Sequence, residues 1–296
     1  MLVMDGREPA RKRLDSLKRE IEEMERLQRW RPCLATIQIG QDPAAATYLR
    51  SQGKTCERIG LEARRFVFPA DVSIEEVQEL LLRLNADDDV DAVMVERPLP
   101  PRWELSGLID CVDPVKDVEG VHRFNLGSLY LGDRNTPLPC TAKAILSLLG
   151  EYGFADLKGR NASVLGVSPT VGKAVAMLFL HRKASVTLLH SQSAETERSR
   201  ALAQADLVVV GIGKPHVLSG EMLKQGVVVV DVGINVLSDG RLVGDVDWES
   251  LAGVARAATP VPGGIGPLTV ASLMENVFHC ARRRRGAPFS DGSFSS

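Results

Sequence analysis

The spacing of apolar residues along the chain switches between helical steps and short continuous runs. Between residues 8 and 30, apolar residues recur every three or four positions among charged ones, which predicts a long amphipathic helix. These residues are Leu14, Leu17, Ile21, Met24 and Leu27. By contrast, the run 227–230 is four valines without alternation, as expected for a strand that is covered on both faces.

Predicted strands and helices alternate along the rest of the chain. In the first half, the strands are at 34–39, 65–68 and 92–95 and the helices at 44–59 and 74–84. In the second half, the strands are at 162–166, 185–189, 207–210 and 227–232 and the helices at 142–150, 171–181 and 270–285. This order predicts an α/β fold with mostly parallel sheets, and the second half resembles a Rossmann-type domain.

Composition narrows the possible classes of protein. The length of 296 residues suggests about two domains, and a net charge of -2 gives no reason to expect nucleic acid as a partner. The charged N-terminus lacks the apolar run of a secretory signal, and no apolar run is long enough for a membrane span. Five widely spaced cysteines without a CxxC pattern predict neither disulfides nor a metal site, so a cytoplasmic location is expected.

A glycine-containing turn lies between a predicted strand and a predicted helix at 166–172, which reads GVSPTVG. Such a turn is where a dinucleotide pyrophosphate meets free backbone N–H groups and the positive end of a helix. The spacing differs from GxGxxG, because Ser168 occupies the second glycine position. On these residues alone, a plain strand-to-helix turn explains the pattern equally well.

The segment 259–269 reads TPVPGGIGPLT and holds three prolines and three glycines. Proline fixes φ and glycine permits positive φ, so the segment is a stiff, shaped loop. A bare Pro/Gly run could be an interdomain turn. The order of residues, however, resembles the signature loop of the methylenetetrahydrofolate dehydrogenase/cyclohydrolase (FolD-type) family, which borders the nicotinamide and the folate ring.

Further motifs of that family occur in the same order, including GxSxxVG, DVGIN and GDVD. The resemblance implies NADP or NAD as the cofactor. The positions that it assigns to cofactor binding are Thr141, Gly166, Val167, Ser168, Val171, Gly172, His190, Ser191, Gly211, Ile212, Gly213, Gly233, Ile234 and Thr269. Val167 replaces a family arginine that faces the adenosine 2′-phosphate, which favours NAD or relaxed specificity unless Lys173 or Arg182 reaches the phosphate.

The first half of the chain resembles the folate-binding half of the family, with tetrahydrofolate as the carrier of the substrate carbon. The implied substrate-binding residues are Tyr48, Pro98, Leu99, Asp117, Glu119, Pro262, Gly263 and Gly264. The implied catalytic positions are Tyr48, Gln52, Glu96 and Glu119. Three of these depart from the family pattern: Gln52 stands for its catalytic lysine, Glu96 for a glutamine and Glu119 for an aspartate. Lys54 matches a second, non-catalytic lysine.

These departures change the charge of the implied site. The family set of lysine, glutamine and aspartate is formally neutral, whereas Gln52, Glu96 and Glu119 carry about -2 if both carboxylates ionise. Two unit charges about 4 Å apart interact by about 4 kcal/mol at an effective dielectric near 20. Nearby carboxylates stabilise the cation that hydride removal leaves, whereas hydrolysis of that cation needs proton transfer. We therefore expect dehydrogenase activity, with cyclohydrolase activity weak or absent unless Glu96 supplies the lost acid/base function.

Two other functions remain open from the sequence. One is a FolD-like paralogue that acts on another one-carbon or cationic substrate. The other is a non-catalytic protein that binds a folate or a nucleotide. The loss of the lysine is compatible with each of them.

The expected architecture is a Rossmann-type NAD(P)-binding domain and an α/β substrate domain, with a cleft between them. The substrate domain comprises residues 1–141 and is completed by the C-terminal helix at 270–285. The Rossmann-type domain comprises 142–269, and the Gly/Ser-rich tail 286–296 is expected to be disordered. The family is homodimeric, which implies a second copy of the chain as a partner besides the folate substrate.

Overall fold

The chain forms two compact α/β units in the computed structural model, which describes residues 1–40, 52–97, 99–100, 103, 105–133 and 135–286. The six-stranded unit comprises residues 1–11 and 139–272. The three-stranded unit comprises residues 12–138 and the end of the chain from residue 273. The predicted α/β class with two domains is confirmed.

The elements alternate along the chain much as the apolar pattern predicts. Those before residue 135 are β1 (Leu2–Val3), α1 (Arg7–Gln28), β2 (Cys33–Ile39), α2 (52–59), β3 (Glu62–Phe68), α3 (Ile74–Ala86), β4 (Ala92–Val95), α4 (Leu105–Ile109) and α5 (Arg123–Leu131). Those after it are α6 (Cys140–Glu151), β5 (Asn161–Leu165), α7 (Ala174–His181), β6 (Ser185–Leu189), α8 (Glu195–Gln204), β7 (Leu207–Val210), β8 (Val228–Asp231), β9 (Asn235–Val236), β10 (Leu242–Val243), β11 (Ala257–Ala258) and α9 (Ile265–Arg284).

The three-stranded unit is built on a parallel sheet of order β3-β2-β4. Every residue of the central strand β2 is buried. Its side chains and those of β4 pack with Val77, Leu81 and other apolar residues of α3. An isolated parallel bridge joins Val93 of β4 to Asp117, so the segment that contains Asp117 and Glu119 runs beside the strand that leads into Glu96.

The long helix α1 is amphipathic, but its buried stripe is shorter than the sequence predicts. Leu14, Leu17 and Ile21 are buried. Leu27, the last of the apolar residues whose spacing predicts the helix, is 66% exposed. The helix continues past the packed part of its apolar face, and its last turn consequently leaves the leucine in solvent.

The six-stranded unit is built on a parallel sheet of order β1-β11-β8-β7-β5-β6. β7 and β8 lie inside this sheet and are fully buried, which agrees with their unbroken apolar runs. A short antiparallel hairpin, β9–β10, belongs to the same unit. Since parallel strands end at one edge of a sheet, the loops that follow β5, β6, β7, β8 and β11 lie at that edge.

The N-terminus differs from the sequence prediction. Residues 1–141 were assigned to the substrate domain, yet Leu2 and Val3 pair in parallel with Ala257 and Ala258 and form the edge strand of the other unit's sheet. A two-residue strand has no detectable periodicity, which explains the error. The predicted tail lies outside the described residues from 287 onward. Among the helices of the described ranges, none has the length and apolarity needed to cross a membrane.

Candidate active site

The turn after β5 has the tight geometry that a dinucleotide-binding turn needs. Gly166 has φ of 115°, and a Cβ on it would lie 2.4 Å from the carbonyl oxygen of Gly211. A Cβ on Gly172 would lie 1.9 Å from the carbonyl oxygen of Gly166. Both positions therefore exclude any side chain, and the backbone itself forms the surface of the turn.

Ser168 links this turn to the helix that follows. Its hydroxyl oxygen accepts a hydrogen bond from the backbone N–H of Val171 at 3.3 Å, and its carbonyl oxygen accepts one from Lys173 at 3.0 Å. The helix starts with one π-helical turn, Pro169–Lys173, before α7. Ser168 is therefore the N-cap of this helix. The common dinucleotide-binding motif has its second glycine at this position.

The loop after β6 carries the exposed residues His190 and Ser191. The backbone N–H of His190 donates to the hydroxyl of Ser193 at 3.0 Å, and its Nδ1 accepts from the N–H of Gln192 at 3.1 Å. Arg182 donates to the carbonyl oxygen of Ala155 at 3.5 Å. That contact directs Arg182 to a partner outside this loop.

The loops after β7, β8 and β11 contain most of the other predicted cofactor residues. Gly211, Ile212 and Gly213 follow β7, whereas Gly233 and Ile234 follow β8. Two buried aspartates that the sequence analysis did not select, Asp231 and Asp245, accept hydrogen bonds from these loops. The sequence signal was present in the DVGIN and GDVD motifs, but the use of the carboxylates is visible only in the fold.

Burial raises the pKa of Asp231 to about 6. The charge of Asp245 acts in the same direction, whereas hydrogen bonds from three backbone N–H groups oppose the rise. Desolvation therefore outweighs a hydrogen-bond pattern that favours the carboxylate.

The Pro/Gly loop that follows β11 is anchored by backbone hydrogen bonds within the six-stranded unit. Gly264 N–H donates to the carbonyl oxygen of Pro260, and Gly6 N–H donates to that of Gly263, both at 2.8 Å. A Cβ on Gly6 would lie 1.9 Å from the carbonyl oxygen of Gly264. The peptide bond between Val261 and Pro262 is cis.

Thr269 and Thr141 lie in helices of this same unit. Thr269, in α9, donates from its hydroxyl to the carbonyl oxygen of Ile265 at 3.2 Å. Thr141 lies in the first turn of α6 and is partly buried. α9 begins at Ile265, before the start at residue 270 that the sequence predicts, because Pro267 is tolerated in a first helical turn.

The three-stranded unit holds the three catalytic positions that depart from the family pattern. Gln52 is 3% exposed, and its Nε2 lies 3.4 Å from the sulfur of Met94 in β4. Met94 lies two residues before Glu96 on the same chain segment. The side-chain amide of Gln52 thus has the sulfur of Met94 as a weak acceptor. Neither the amide nor the thioether exchanges a proton near neutral pH.

Glu96 follows directly after β4 and is held by its backbone, whose N–H donates to the carbonyl oxygen of Ile37 at 2.8 Å. Its Oε2 is buried and has no hydrogen-bond partner within the described part of the chain. Burial raises the pKa of Glu96 to about 8, and the charge of Glu119 adds to the rise. Arg97 and Arg65 oppose it.

Asp117 and Glu119 lie on the segment beside β4. Asp117 is buried and accepts hydrogen bonds from the backbone N–H of His122 and from Nδ2 of Asn125, both at 2.8 Å. Burial raises the pKa of Asp117 and raises that of Glu119 to about 7. Arg97 lowers the pKa of Glu119, whereas Asp117 raises it. Two carboxyl groups, Glu96 and Glu119, thus interact electrostatically and titrate near neutrality.

The predicted substrate and catalytic residues are divided between the two units. Gln52, Glu96, Asp117 and Glu119 belong to the three-stranded unit, where Leu99 packs against the apolar core. The Pro/Gly-loop residues Pro262, Gly263 and Gly264 belong to the six-stranded unit. Tyr48 and Pro98 lie outside the described residues. Arg65 and Arg97 were not predicted as site residues, because their charges reach Glu96 only through the fold.

A Rossmann-type sheet with a side-chain-free glycine turn, together with a second parallel sheet that carries buried carboxylates, defines the class of nucleotide-dependent dehydrogenases with two α/β domains. Family models identify the particular group. The model of the tetrahydrofolate dehydrogenase/cyclohydrolase NAD(P)-binding domain matches residues 139–285, and that of its catalytic domain matches residues 4–119. The chain belongs to this family, and the resemblance seen in its motifs is confirmed.

Known proteins resemble the chain over nearly its whole length. The bifunctional protein FolD of Methanoculleus marisnigri is 42% identical over 96% of this chain and 97% of that protein. The FolD structure from Campylobacter jejuni has a TM-score of 0.93 at 36% identity and covers 96% of this chain and 99% of that one. The Trypanosoma brucei FolD structure, complexed with NADP and an inhibitor, has a TM-score of 0.92 at 32% identity and covers 97% and 99%.

Proposed function

We propose that this chain is a methylenetetrahydrofolate dehydrogenase whose cyclohydrolase activity is weak or absent. Family membership and the near-complete coverage of bifunctional relatives support the dehydrogenase, which oxidises 5,10-methylenetetrahydrofolate to 5,10-methenyltetrahydrofolate. The observation that carries the second part is Gln52. It is buried against Met94 at the position where the family pattern has a lysine.

The six-stranded unit fits a nicotinamide dinucleotide. Gly166 and Gly172 leave no space for side chains, so a pyrophosphate can approach the backbone of the turn. When bound, the cofactor supplies the acceptor for the hydride. Ser168, Val171 and the loops after β7 and β8 are the residues that would hold it.

The acidic groups of the three-stranded unit suit the oxidation. Removal of a hydride leaves positive charge on the folate, and no proton moves in that step. Glu119 and Glu96 stabilise such charge in proportion to their ionised fractions, because carboxylates interact favourably with a cation. Their positions in a partly buried site strengthen the interaction relative to water.

The same groups are poorly arranged for hydrolysis of the cation. Attack by water requires a group that takes up a proton, and the amide of Gln52 cannot do so. Glu96, with a pKa near 8, is the residue that would carry any remaining hydrolysis. Replacement of Glu96 by Gln is therefore expected to abolish that residual activity.

The proposed cofactor preference rests on Val167, the second residue of the glycine turn. Its side chain cannot pair with a 2′-phosphate, whereas an arginine binds phosphate through two parallel hydrogen bonds. We propose that NAD is preferred or that specificity is relaxed. The ratio of kcat/KM for NAD⁺ and NADP⁺ measures this, and Val167→Arg is expected to shift the ratio towards NADP⁺.

A homodimer is the proposed assembly, in the cytoplasm. The hairpin β9–β10 supports self-association, since Val236 and Leu242 are cross-strand neighbours and are 70% and 44% exposed. None of the five cysteines, all of which lie in the described ranges, forms a disulfide, as expected in a reducing compartment. Light scattering of the purified chain and of the variant Val236→Glu gives their molecular masses in solution. A dimer mass for the unaltered chain and a monomer mass for the variant would support a dimer interface at this hairpin.

The decisive experiment separates the two reactions. Oxidation of methylenetetrahydrofolate is followed with NAD⁺ and with NADP⁺, and loss of methenyltetrahydrofolate is followed independently by its absorbance. We expect hydride transfer with hydrolysis slower by two orders of magnitude or more, the usual contribution of a general acid–base group. Comparable rates for both reactions would refute the proposal.

The two remaining functions considered from the sequence are not favoured. Identity of 42% over 96% of the chain to a bifunctional FolD supports folate chemistry over a different substrate. A binding protein without catalysis would show dinucleotide binding with no turnover. The same assay therefore distinguishes it from the dehydrogenase.

A further inference from the structure

Asp231 and Asp245 form a buried carboxylate pair in the six-stranded unit. Asp231 is the last residue of β8 and is 4% exposed, while Asp245 follows β10 and is completely buried. No family assignment made above gives either residue a role. Neither side chain has a cationic partner in the described ranges, and both carboxylates are surrounded by donors from the backbone and from one amide.

Asp245 holds the loop that follows β7. Its Oδ2 accepts hydrogen bonds from the backbone N–H groups of Ile212 at 2.6 Å and Gly213 at 2.9 Å, and its Oδ1 accepts one from Lys214 at 3.0 Å. Nδ2 of Asn235 donates to Oδ1 at 2.9 Å. One carboxylate therefore fixes three consecutive peptide groups of one loop and the first residue of β9.

Asp231 holds the neighbouring segments. Its Oδ1 accepts from Gly233 N–H at 2.8 Å and from Asp245 N–H at 3.1 Å, and its Oδ2 accepts from Val246 N–H at 2.9 Å. The hydroxyl of Thr259 accepts from the backbone N–H of Asp231 at 2.7 Å and donates to its carbonyl oxygen at 3.2 Å. Thr259 is the residue that opens the Pro/Gly loop.

The packing around the pair leaves no space for adjustment. A Cβ on Gly233 would lie 2.1 Å from Oδ1 of Asp245, and a Cβ on Gly244 would lie 1.9 Å from Oδ2 of Asp231. The backbone is thus pressed directly against both carboxylates. A side chain at either glycine would displace a carboxylate or the loop that it holds.

We infer that Asp231 and Asp245 are positioning residues for the dehydrogenase reaction, which set the loops after β7 and β8 and the start of the Pro/Gly loop as one unit for the nicotinamide dinucleotide. The inference rests on the proposed function, because the proposed cofactor contacts of these loops come from the family resemblance. The aspartates act through the backbone and do not contact the reacting atoms.

Asp245→Asn is the first test. In the unaltered chain, the carboxylate of Asp245 accepts from three backbone N–H groups. The asparagine side chain has only one oxygen, and its NH₂ group cannot accept, so at least one of these hydrogen bonds to a charged group is lost. We expect the Kd for NADH or NADPH, measured by fluorescence, and the KM for the oxidised dinucleotide to rise about 10- to 100-fold. The KM for methylenetetrahydrofolate should stay within about twofold. Asp239→Asn, in the exposed turn of the hairpin, is the matched control and should change neither constant.

Thr259→Val and Thr259→Ser provide a second test if Asp245→Asn fails to fold. The valine removes the hydroxyl with little change of volume, whereas the serine keeps it. We expect weaker dinucleotide binding in the valine variant and restoration in the serine variant. Equal binding by all folded variants, or an equal rise of both KM values, would overturn the inference. If the unaltered chain binds neither dinucleotide, the proposed function itself fails.

Discussion

Restoring the family charge set is expected to restore hydrolysis. The double variant Gln52→Lys/Glu96→Gln converts glutamine, glutamate and glutamate into lysine, glutamine and glutamate. With all acids and bases ionised, the formal charge of these three positions rises from -2 to zero. The change is confined to two side chains, one in α2 and one at the end of β4.

The substitution Glu96→Gln changes the charge and the shape of its position little at pH 7. Because the pKa of Glu96 is raised to about 8, its side chain is mostly protonated at pH 7, and glutamine has nearly the shape of the neutral acid. By contrast, Gln52→Lys alone would place an ammonium group in a site with two acids. An ion pair at about 4 Å is worth about 4 kcal/mol at an effective dielectric near 20, or roughly three pKa units.

The single variant Gln52→Lys should therefore hold its proton too tightly to exchange it, and we expect a gain in hydrolysis of less than about tenfold. The double variant lacks one of these acids. We expect its rate of methenyltetrahydrofolate hydrolysis to rise about 10²- to 10⁴-fold, the range of a positioned acid–base group.

The assay is the decrease of methenyltetrahydrofolate absorbance, with oxidation of methylenetetrahydrofolate measured in parallel. Lys54→Gln is the control, because Lys54 lies on the same helix as Gln52 but is exposed. It should leave both rates unchanged. Hydrolysis at the unaltered rate in a double variant that still transfers hydride would refute the role given to position 52.

Three further predictions follow from the same structure. Deprotonation of Glu119 and Glu96, with pKa values of about 7 and 8, favours the cationic product. The kcat/KM for oxidation should therefore rise with pH between about 6 and 9, and Glu96→Gln should remove the part of this rise near pH 8. Since both pKa values in the folded state lie above the usual value of a glutamate, the folded chain binds more protons than the unfolded chain between pH 6 and pH 9. The urea concentration at the unfolding midpoint should therefore fall from pH 6 to pH 9, and it should fall less in Glu96→Gln. An equal fall in the variant and the unaltered chain would contradict this. Gly172→Ala, whose Cβ would lie 1.9 Å from the Gly166 carbonyl oxygen, should lose dinucleotide binding in a fluorescence titration, whereas Gly150→Ala, with open space around it, should not.

The alternation of helices and strands was predictable because long apolar runs are strong signals. The central strands β2, β7 and β8 are fully buried, and their sequences are mostly apolar, with Thr36 and Gln38 in β2 and Asp231 at the end of β8 as the polar residues. Helix α8 was not predicted, since Leu202 is its only buried residue and the rest of its surface is polar. β1 and β11 were missed because two residues define no period.

The site was predictable only in part, for a related reason. Glu96 and Glu119 could be selected from the sequence because each falls at a defined place in a motif. Their interaction, and the opposing charges of Arg97 and Arg65, depend on contacts between separate strands. Asp245 is the clearest omission: its partners lie more than 30 positions away along the chain for three of its four hydrogen bonds.

The pairing of β1 with β11 has a consequence for synthesis of the chain. Leu2 is translated long before its partner Ala257. The sheet of the six-stranded unit can therefore be completed only late in translation, because closing so long a loop must wait for the distal strand. Until Ala257 and Ala258 have been made, the first strand has no partner in this sheet.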